Sequence, residues 1–154
     1  MVFLAMVGDG SLFGPFFLED GRLTAAKYMQ LLQQYGQNFR TLIWQQDGAP
    51  AHRARSSLRF LDQEFGQRML AQGSLQGHEW APSSPDLSPL DFSVWSSLKT
   101  QVYSAPVPTT ILDLKRKIRN AVLNMDQQHV VNAMMAIQRR AQLVINAQGG
   151  HFEN

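Results

Sequence analysis

Two short segments of the chain hold the side chains best suited to chemistry. Residues 45–52, QQDGAPAH, place Asp47 five positions before His52, and residues 80–92, WAPSSPDLSPLDF, carry Asp91. The chain contains no cysteine, which excludes thiolate nucleophiles, disulfides and every cysteine-based zinc or iron–sulfur site. A metal ion bound by this chain would therefore need oxygen or imidazole ligands.

Asp47 follows a segment that predicts a strand. Residues 41–44, TLIW, are β-branched and aromatic, so we expect a strand whose C-terminal tip carries Asp47. Pro50 then predicts the start of a helix that continues to Phe65. In α/β sheets ligands bind at the carboxyl ends of the strands, and Asp47 would stand at such an end.

The first forty residues predict a hairpin and a helix. The apolar run 1–7 suits a strand buried on both faces, and turn residues separate it from a second run at 12–18, where Gly14-Pro15 indicates a bulge. Thr24 is suited to begin a helix, and Gly36 to end it.

The second half of the chain is predominantly helical in pattern. Residues 66–77 predict a loop, and residues 78–80 a brief strand. Thr110 and Asp126 each have the chemistry of a helix start, and a following apolar stripe supports both helices. Ile111, Leu114, Ile118, Val122 and Met125 are expected to share one face of the first of these helices.

Structural roles also suit the candidate acids. Ser88-Pro89 is a good helix start that places Asp91 in the first turn, where an acid complements the helix dipole, and taken alone this favours capping. Asp47 could simply be a turn residue ahead of Pro50, and Asp86 has ordinary turn chemistry.

At the two segments the sequence resembles the catalytic domain of mariner-like DDE/D transposases. The corresponding blocks of that family are Gln-Asp-(Asn/Gly)-Ala-Pro-x-His and Ser-Pro-Asp-Leu-x-Pro-x-(Asp/Glu). The likeness extends to Tyr28 with its helix, to Lys99 with residues 102–103, to the helix at 112–118 and to residues 149–153, GGHFE. It covers nearly the whole chain.

The resemblance implies an RNase H-like fold in which three carboxylates hold two divalent cations, Mg²⁺ or Mn²⁺, that cleave and rejoin DNA. Asp47 matches the second acid of the family and Asp91 the third, which favours metal ligation over turn or capping roles for both. Carboxylates are the hard ligands that Mg²⁺ prefers. The implied partners are DNA, as transposon ends and target, with a homodimer left open.

The chain departs from the family pattern in four ways. Family members carry the first catalytic Asp on a strand before the one that matches residues 1–7, and helix-turn-helix modules further upstream. Gly48 replaces the commoner Asn after the second acid. The 43 residues that separate Asp47 from Asp91 are a longer interval than in the best-known mariner branch, and we interpret this interval as a subgroup feature. We therefore expect a C-terminal fragment that lacks the first strand and first acid, and that alone neither binds two ions tightly nor cuts DNA.

The remaining polar residues leave alternatives open. His52 could orient a carboxylate, contact a phosphate or simply pack, whereas packing or capping roles are expected for the other three histidines. Any one basic residue is expected to belong to a solvated face rather than to contact DNA. These basic residues are Arg53, Arg55, Arg59, Lys99, Lys115, Arg116, Lys117 and Arg119.

The predicted architecture is α/β: an RNase H-like mixed sheet flanked by helices, with a helical C-terminal tail. We expect a partial catalytic core at residues 1–105 and a helical extension at 106–154 packed on the same domain. No apolar run approaches the 18 or so residues that span a bilayer, so no membrane partner is expected. The nucleus is the expected location, although no compact basic targeting stretch supports it.

Two functions from different classes fit these observations. The first is a fragment of a DNA transposase or integrase-type nuclease. The second is a catalytically inert nucleic-acid-binding or protein-interaction module that retains the scaffold. A formal net charge of +2 permits a polyanionic partner without requiring one.

Overall fold

Helices supply most of the regular structure in the computed structural model, which describes residues 1–148. Along the chain the strands and α-helices are β1 (Val2–Met6), β2 (Leu12–Phe17), α1 (Ala25–Tyr35), β3 (Trp44–Gln45), α2 (Arg55–Phe65), β4 (Met69–Leu70), α3 (Trp95–Val102), α4 (Ile111–Leu123) and α5 (Gln127–Asn146). They pack into two units. One comprises Met1 and residues 19–84, and the other comprises residues 2–18 and, within the described chain, residues 85–148.

The N-terminal hairpin is confirmed. β1 and β2 pair antiparallel, and their register shifts between Phe3 and Ala5, which agrees with the irregularity expected near Gly14-Pro15. The expectation of a strand buried on both faces is wrong, because Leu4 is the one fully buried residue of β1. β1 belongs to a two-stranded ribbon, and such a ribbon has only one face against its helices.

The core of the second unit joins this hairpin to the helices of the tail. Leu4 is buried with Val94, Leu98, Val102 and Ala121, and the apolar stripe of α4 packs against this cluster. Leu114, Ile118 and Val122 follow the prediction, whereas Met125 packs against the same cluster from beyond the C-terminal end of α4. Ile111 does not follow the prediction, since it lies in the first turn and is exposed.

The first unit contains a small parallel sheet. Trp44 pairs with Met69, and Gln45 with Leu70. The strand expected at 41–44 is shorter and begins later, because residues 41–43 are exposed and have no buried face to pack. β4 lies within the expected loop at 66–77, and the brief strand expected at 78–80 is reduced to one bridge between Leu70 and His78.

Helix starts follow local side-chain chemistry. Thr24, Thr110 and Asp126 each cap a helix by accepting a backbone N–H, as the sequence predicts. The helix expected from Pro50 begins only at Arg55, since residues 50–54 form turns. Gly36 ends α1 in right-handed backbone (φ −59°) and leads into a 3₁₀ turn.

Candidate functional site

Asp47 lies two residues beyond the C-terminal end of β3, close to the tip where the sequence predicts it. Its side chain is about half exposed, at 51%. Oδ1 accepts the backbone N–H of Ala49 at 3.1 Å, which makes Asp47 a turn residue as well. The turn role and an outward-facing carboxylate are therefore compatible.

His52 contacts this carboxylate directly. Its Nδ1 lies 2.5 Å from Oδ1 of Asp47, and its side chain is only 13% exposed. The imidazole also packs against the ring of Tyr28, with centroids 4.4 Å apart. Of the roles left open by the sequence, orientation of a carboxylate and packing are both present.

The surroundings of Asp47 keep it ionised. The hydrogen bond from His52 is the main cause that holds the pKa of Asp47 below its usual value of 3.8, and the Ala49 N–H and the His52 charge act in the same direction. Partial burial opposes them. At neutral pH the group is a carboxylate, which is the form that binds a hard cation.

A buried network lies behind these two residues. Gln46, which is 5% exposed, accepts the hydroxyl of Tyr28 at 2.6 Å and the indole N–H of Trp44 at 3.3 Å. Its amide donates to the backbone carbonyl of His52 at 3.1 Å. Sequence reasoning missed this network. The available signal was a glutamine directly after a strand, which does not reveal its partners.

Gly48 lies close to the side chain of Gln72. A Cβ at this position would collide with the side-chain oxygen of Gln72. The colliding oxygen is the far end of a flexible side chain, so a shift of Gln72 would make room for a side chain at position 48.

Asp91 lies in the second unit, in a single π-type turn (Leu90–Val94) that leads into α3. The backbone N–H groups of Asp91 and Phe92 both donate to the carbonyl of Ser88, at 2.9 and 3.0 Å. The helix start predicted at Ser88-Pro89 is therefore present, with Asp91 exposed in its first turn. Such π-type turns are frequent at functional sites.

Helix α5 holds the segment that carries Asp91. The guanidinium of Arg140 lies 4.0 Å from the centroid of the Phe92 ring, and its Nε donates to the carbonyl of Asp86 at 2.5 Å. Ser93 and His129 form a second contact, with 3.1 Å between Oγ and Nε2. Residues on both sides of Asp91 are thus tied to one helix.

The donor chemistry around the candidate acids fits a divalent cation only in part. Asp47 offers an ionised carboxylate in one unit, and the exposed side chain of Asp91 lies in the other. Within residues 1–148, no group of three or more His, Asp or Glu side chains is placed to hold a metal ion. The two predicted ligands remain predictions.

The basic residues differ in how they are engaged. Arg116 pairs with Asp113, and Lys117 donates to two backbone carbonyls. Lys115 and Arg119 both lie over the ring of Phe17. A further three, Arg53, Arg55 and Arg59, are exposed.

Comparison with solved structures identifies the fold. The catalytic domain of Mos1 transposase, solved with raltegravir and Mg, is 18% identical to this chain. The match covers 94% of this chain and 73% of the Mos1 domain, with a TM-score of 0.76. A second structure, of the catalytic domain of Mos1 mariner transposase, is 19% identical to this chain. That match covers 94% of this chain and 72% of the Mos1 domain, with a TM-score of 0.74. The transposase in the Mos1 mariner paired-end complex with Mn is 20% identical to this chain. The match covers 97% of this chain and 44% of the Mos1 chain, with a TM-score of 0.69.

The chain therefore has the mixed α/β, RNase H-like fold of the Mos1 catalytic domain, and the predicted fold class is confirmed. It spans less than half of the longer Mos1 chain in the paired-end complex. No protein-family model and no curated protein sequence matches it. The predicted match at residues 149–153 lies outside the described residues.

None of the helices among residues 1–148 combines the length and the apolar character needed to cross a membrane.

Proposed function

We propose that this chain is part of the catalytic core of a transposase-type nuclease, with Asp47 and Asp91 as ligands for Mg²⁺ or Mn²⁺ and with DNA as its substrate. One observation carries the proposal: 94% of the chain superposes on a Mos1 catalytic domain solved with Mg, at a TM-score of 0.76. The ionised carboxylate of Asp47 beside the end of β3 supports it.

The residues present account for part of the expected chemistry. When bound, two divalent cations activate the attacking oxygen and stabilise the leaving oxygen of a phosphoryl displacement. Asp47 supplies a carboxylate with a low pKa, and His52 fixes one of its oxygens. Asp91 supplies a second exposed carboxylate from a helix start held by α5.

A third carboxylate would have to complete the site. The family pattern expects this acid on a strand that precedes the match to residues 1–7. We propose that Asp47 and Asp91 by themselves hold two ions only weakly and do not suffice for DNA cleavage.

Titration with Mn²⁺ tests the ligand assignment. We expect the wild-type chain to bind Mn²⁺ weakly in isothermal titration, and Asp47→Ala and Asp91→Ala each to lose that binding. Asp86→Ala is the matched control, because this acid lies in the same segment as Asp91 and is expected to leave binding unchanged. Failure of the wild type to bind, or unchanged binding by Asp47→Ala, would contradict the proposal.

A second candidate is a catalytically inert nucleic-acid-binding or protein-interaction module. It is favoured by the lack, within residues 1–148, of a three-donor metal cluster. DNA binding that persists in EDTA and in Asp47→Ala, combined with no Mn²⁺ binding, would favour this second function.

We also propose that the chain acts in the nucleus, since its proposed substrate is chromosomal DNA. A fluorescent fusion expressed in eukaryotic cells tests this location, and exclusion from the nucleus would contradict it.

A further inference from the structure

We propose that His52 is a positioning residue for Asp47 and that the buried pair of Tyr28 and Gln46 sets the orientation of its ring. The role in metal binding rests on the proposed function, whereas the arrangement itself can be tested without metal. All four residues lie within one unit of the structure, residues 19–84 with Met1.

The contact between His52 and Asp47 selects one carboxylate oxygen. Nδ1 of His52 lies 2.5 Å from Oδ1, and the backbone N–H of Ala49 donates to the same atom. Both of these hydrogen bonds thus converge on Oδ1. A carboxylate held by one oxygen can present the other to a cation without first losing rotational freedom.

Gln46 fixes the backbone from which His52 projects. Its amide nitrogen donates to the His52 carbonyl at 3.1 Å, while its oxygen accepts from Tyr28 and Trp44. With both ends of the amide engaged, Gln46 cannot flip without breaking a buried hydrogen bond.

Tyr28 fixes the ring from the other side. It is 1% exposed, its ring centroid lies 4.4 Å from that of His52, and its hydroxyl donates to Gln46. Burial raises the pKa of Tyr28, and the negative charge of Asp47 raises it further, so the hydroxyl keeps its proton. The same residue therefore packs the imidazole and anchors the amide that holds its backbone.

This arrangement makes a prediction about the His52 ring in the metal-free protein. Nδ1 must carry a proton to donate to Asp47, whereas a neutral histidine free in solution prefers the proton on Nε2. Long-range ¹H–¹⁵N NMR at pH 8 should show a protonated Nδ1 in the wild-type chain and an Nε2-protonated ring in Asp47→Ala. An unprotonated Nδ1 in the wild type would overturn the proposal.

A matched pair of substitutions tests the effect on metal binding. His52→Asn places an amide nitrogen near the position of Nδ1, and His52→Gln places one near that of Nε2, while both remove the ring. We expect Mn²⁺ affinity within about 3-fold of wild type for His52→Asn, and at least about 10-fold weaker for His52→Gln, the effect of losing a hydrogen bond to a metal ligand.

Equal weakening of Mn²⁺ affinity in both variants would overturn the positioning role, because a merely structural role depends on the ring and not on donor placement. Thermal unfolding of both variants controls for stability. If the wild type binds no Mn²⁺, the proposed function fails, and the NMR result still decides whether His52 holds Asp47.

Discussion

The Asp47 carboxylate combines a half-exposed position with a pKa below 3.8, caused first by the hydrogen bond from His52. A lowered pKa in the folded state stabilises the fold above the unfolded value, and this stabilisation is lost as the pH falls through the folded pKa. Asp47→Asn should therefore differ most in stability from wild type above about pH 5 and least at the lowest pH.

Urea unfolding of the wild type and Asp47→Asn from pH 2 to 7 measures this difference. A difference in unfolding free energy that stays constant over this range would contradict the assigned cause of the low pKa.

Asp62 organises a loop from within α2. It is 3% exposed, and its carboxylate accepts the hydroxyl of Ser74 and the backbone N–H groups of Leu75 and Gln76, at 3.0 to 3.3 Å. Asp62→Ala removes the acceptor of these part-buried donors, and each hydrogen bond lost costs about 0.5 to 1.5 kcal/mol.

We expect Asp62→Ala to lower the free energy of unfolding by about 1 to 3 kcal/mol, since two backbone donors lose their acceptor. Urea denaturation measures the decrease. Gln63→Ala, at the exposed neighbouring position of the same helix, is the control and should change little. Equal stability of the two variants would show that the loop finds other acceptors.

Residue-level features were predictable where the partner is near in sequence. The spacing of Asp47 and His52 admitted a contact between them as one of several roles for the imidazole, because five residues after a strand can fold back as one turn. Asp62 escaped prediction because its partners lie 12 to 14 residues away in a loop without a pattern. Gln46 escaped for the same reason, since its partner Tyr28 is 18 residues away.

At the scale of elements, α5 holds the segment of Asp91 through Arg140. Its guanidinium donates to the Asp86 carbonyl and lies over the Phe92 ring. Arg140→Met keeps much of the apolar stem and removes both interactions. We expect faster amide hydrogen exchange at residues 86–92, while exchange in α5 stays unchanged.

Arg139→Met is the matched control, because Arg139 is exposed at the adjacent position of α5. Hydrogen exchange measured by mass spectrometry compares the two variants. Equal protection of residues 86–92 in both would show that Arg140 does not hold the segment.

Elements were predictable where local chemistry decides them. Thr24, Thr110 and Asp126 cap their helices because a side-chain oxygen satisfies a nearby backbone N–H in any context. The bounds of the strands could not be predicted in this way, because burial decides them. Residues 41–43 are largely apolar but exposed, whereas Met69 in the unpredicted β4 is fully buried.

At the scale of the whole molecule, the fold is retained at 18 to 20% identity to the Mos1 structures, whereas the site depends on a few residues. Many different sequences can keep the same spacing of apolar residues, so the fold is retained at this low sequence identity. A metal site needs particular donors at particular places. The RNase H-like fold was predicted from the resemblance at the two motif segments and is confirmed, whereas the ligand pair depends on the outcome of the Mn²⁺ titration.

The distribution of charge makes a separate prediction about DNA. Arg55 and Arg59 are one helical turn apart on α2 and both are exposed, so they can reach the same backbone, whereas Arg116 is paired with Asp113. For a chain of net charge +2 we expect non-specific duplex binding with a Kd of about 10⁻⁴ to 10⁻⁶ M that weakens as salt rises.

The double variant Arg55→Gln, Arg59→Gln should bind a duplex of about 30 base pairs in EDTA more weakly than wild type. The slope of log K against log salt should become shallower by about 0.9 for each phosphate that the variant no longer neutralises, since fewer counterions are released. Arg116→Gln is the control and should change both quantities less, because Asp113 already neutralises that charge. Equal slopes for the two variants would mean that α2 belongs to a solvated face and that DNA, if bound, lies elsewhere.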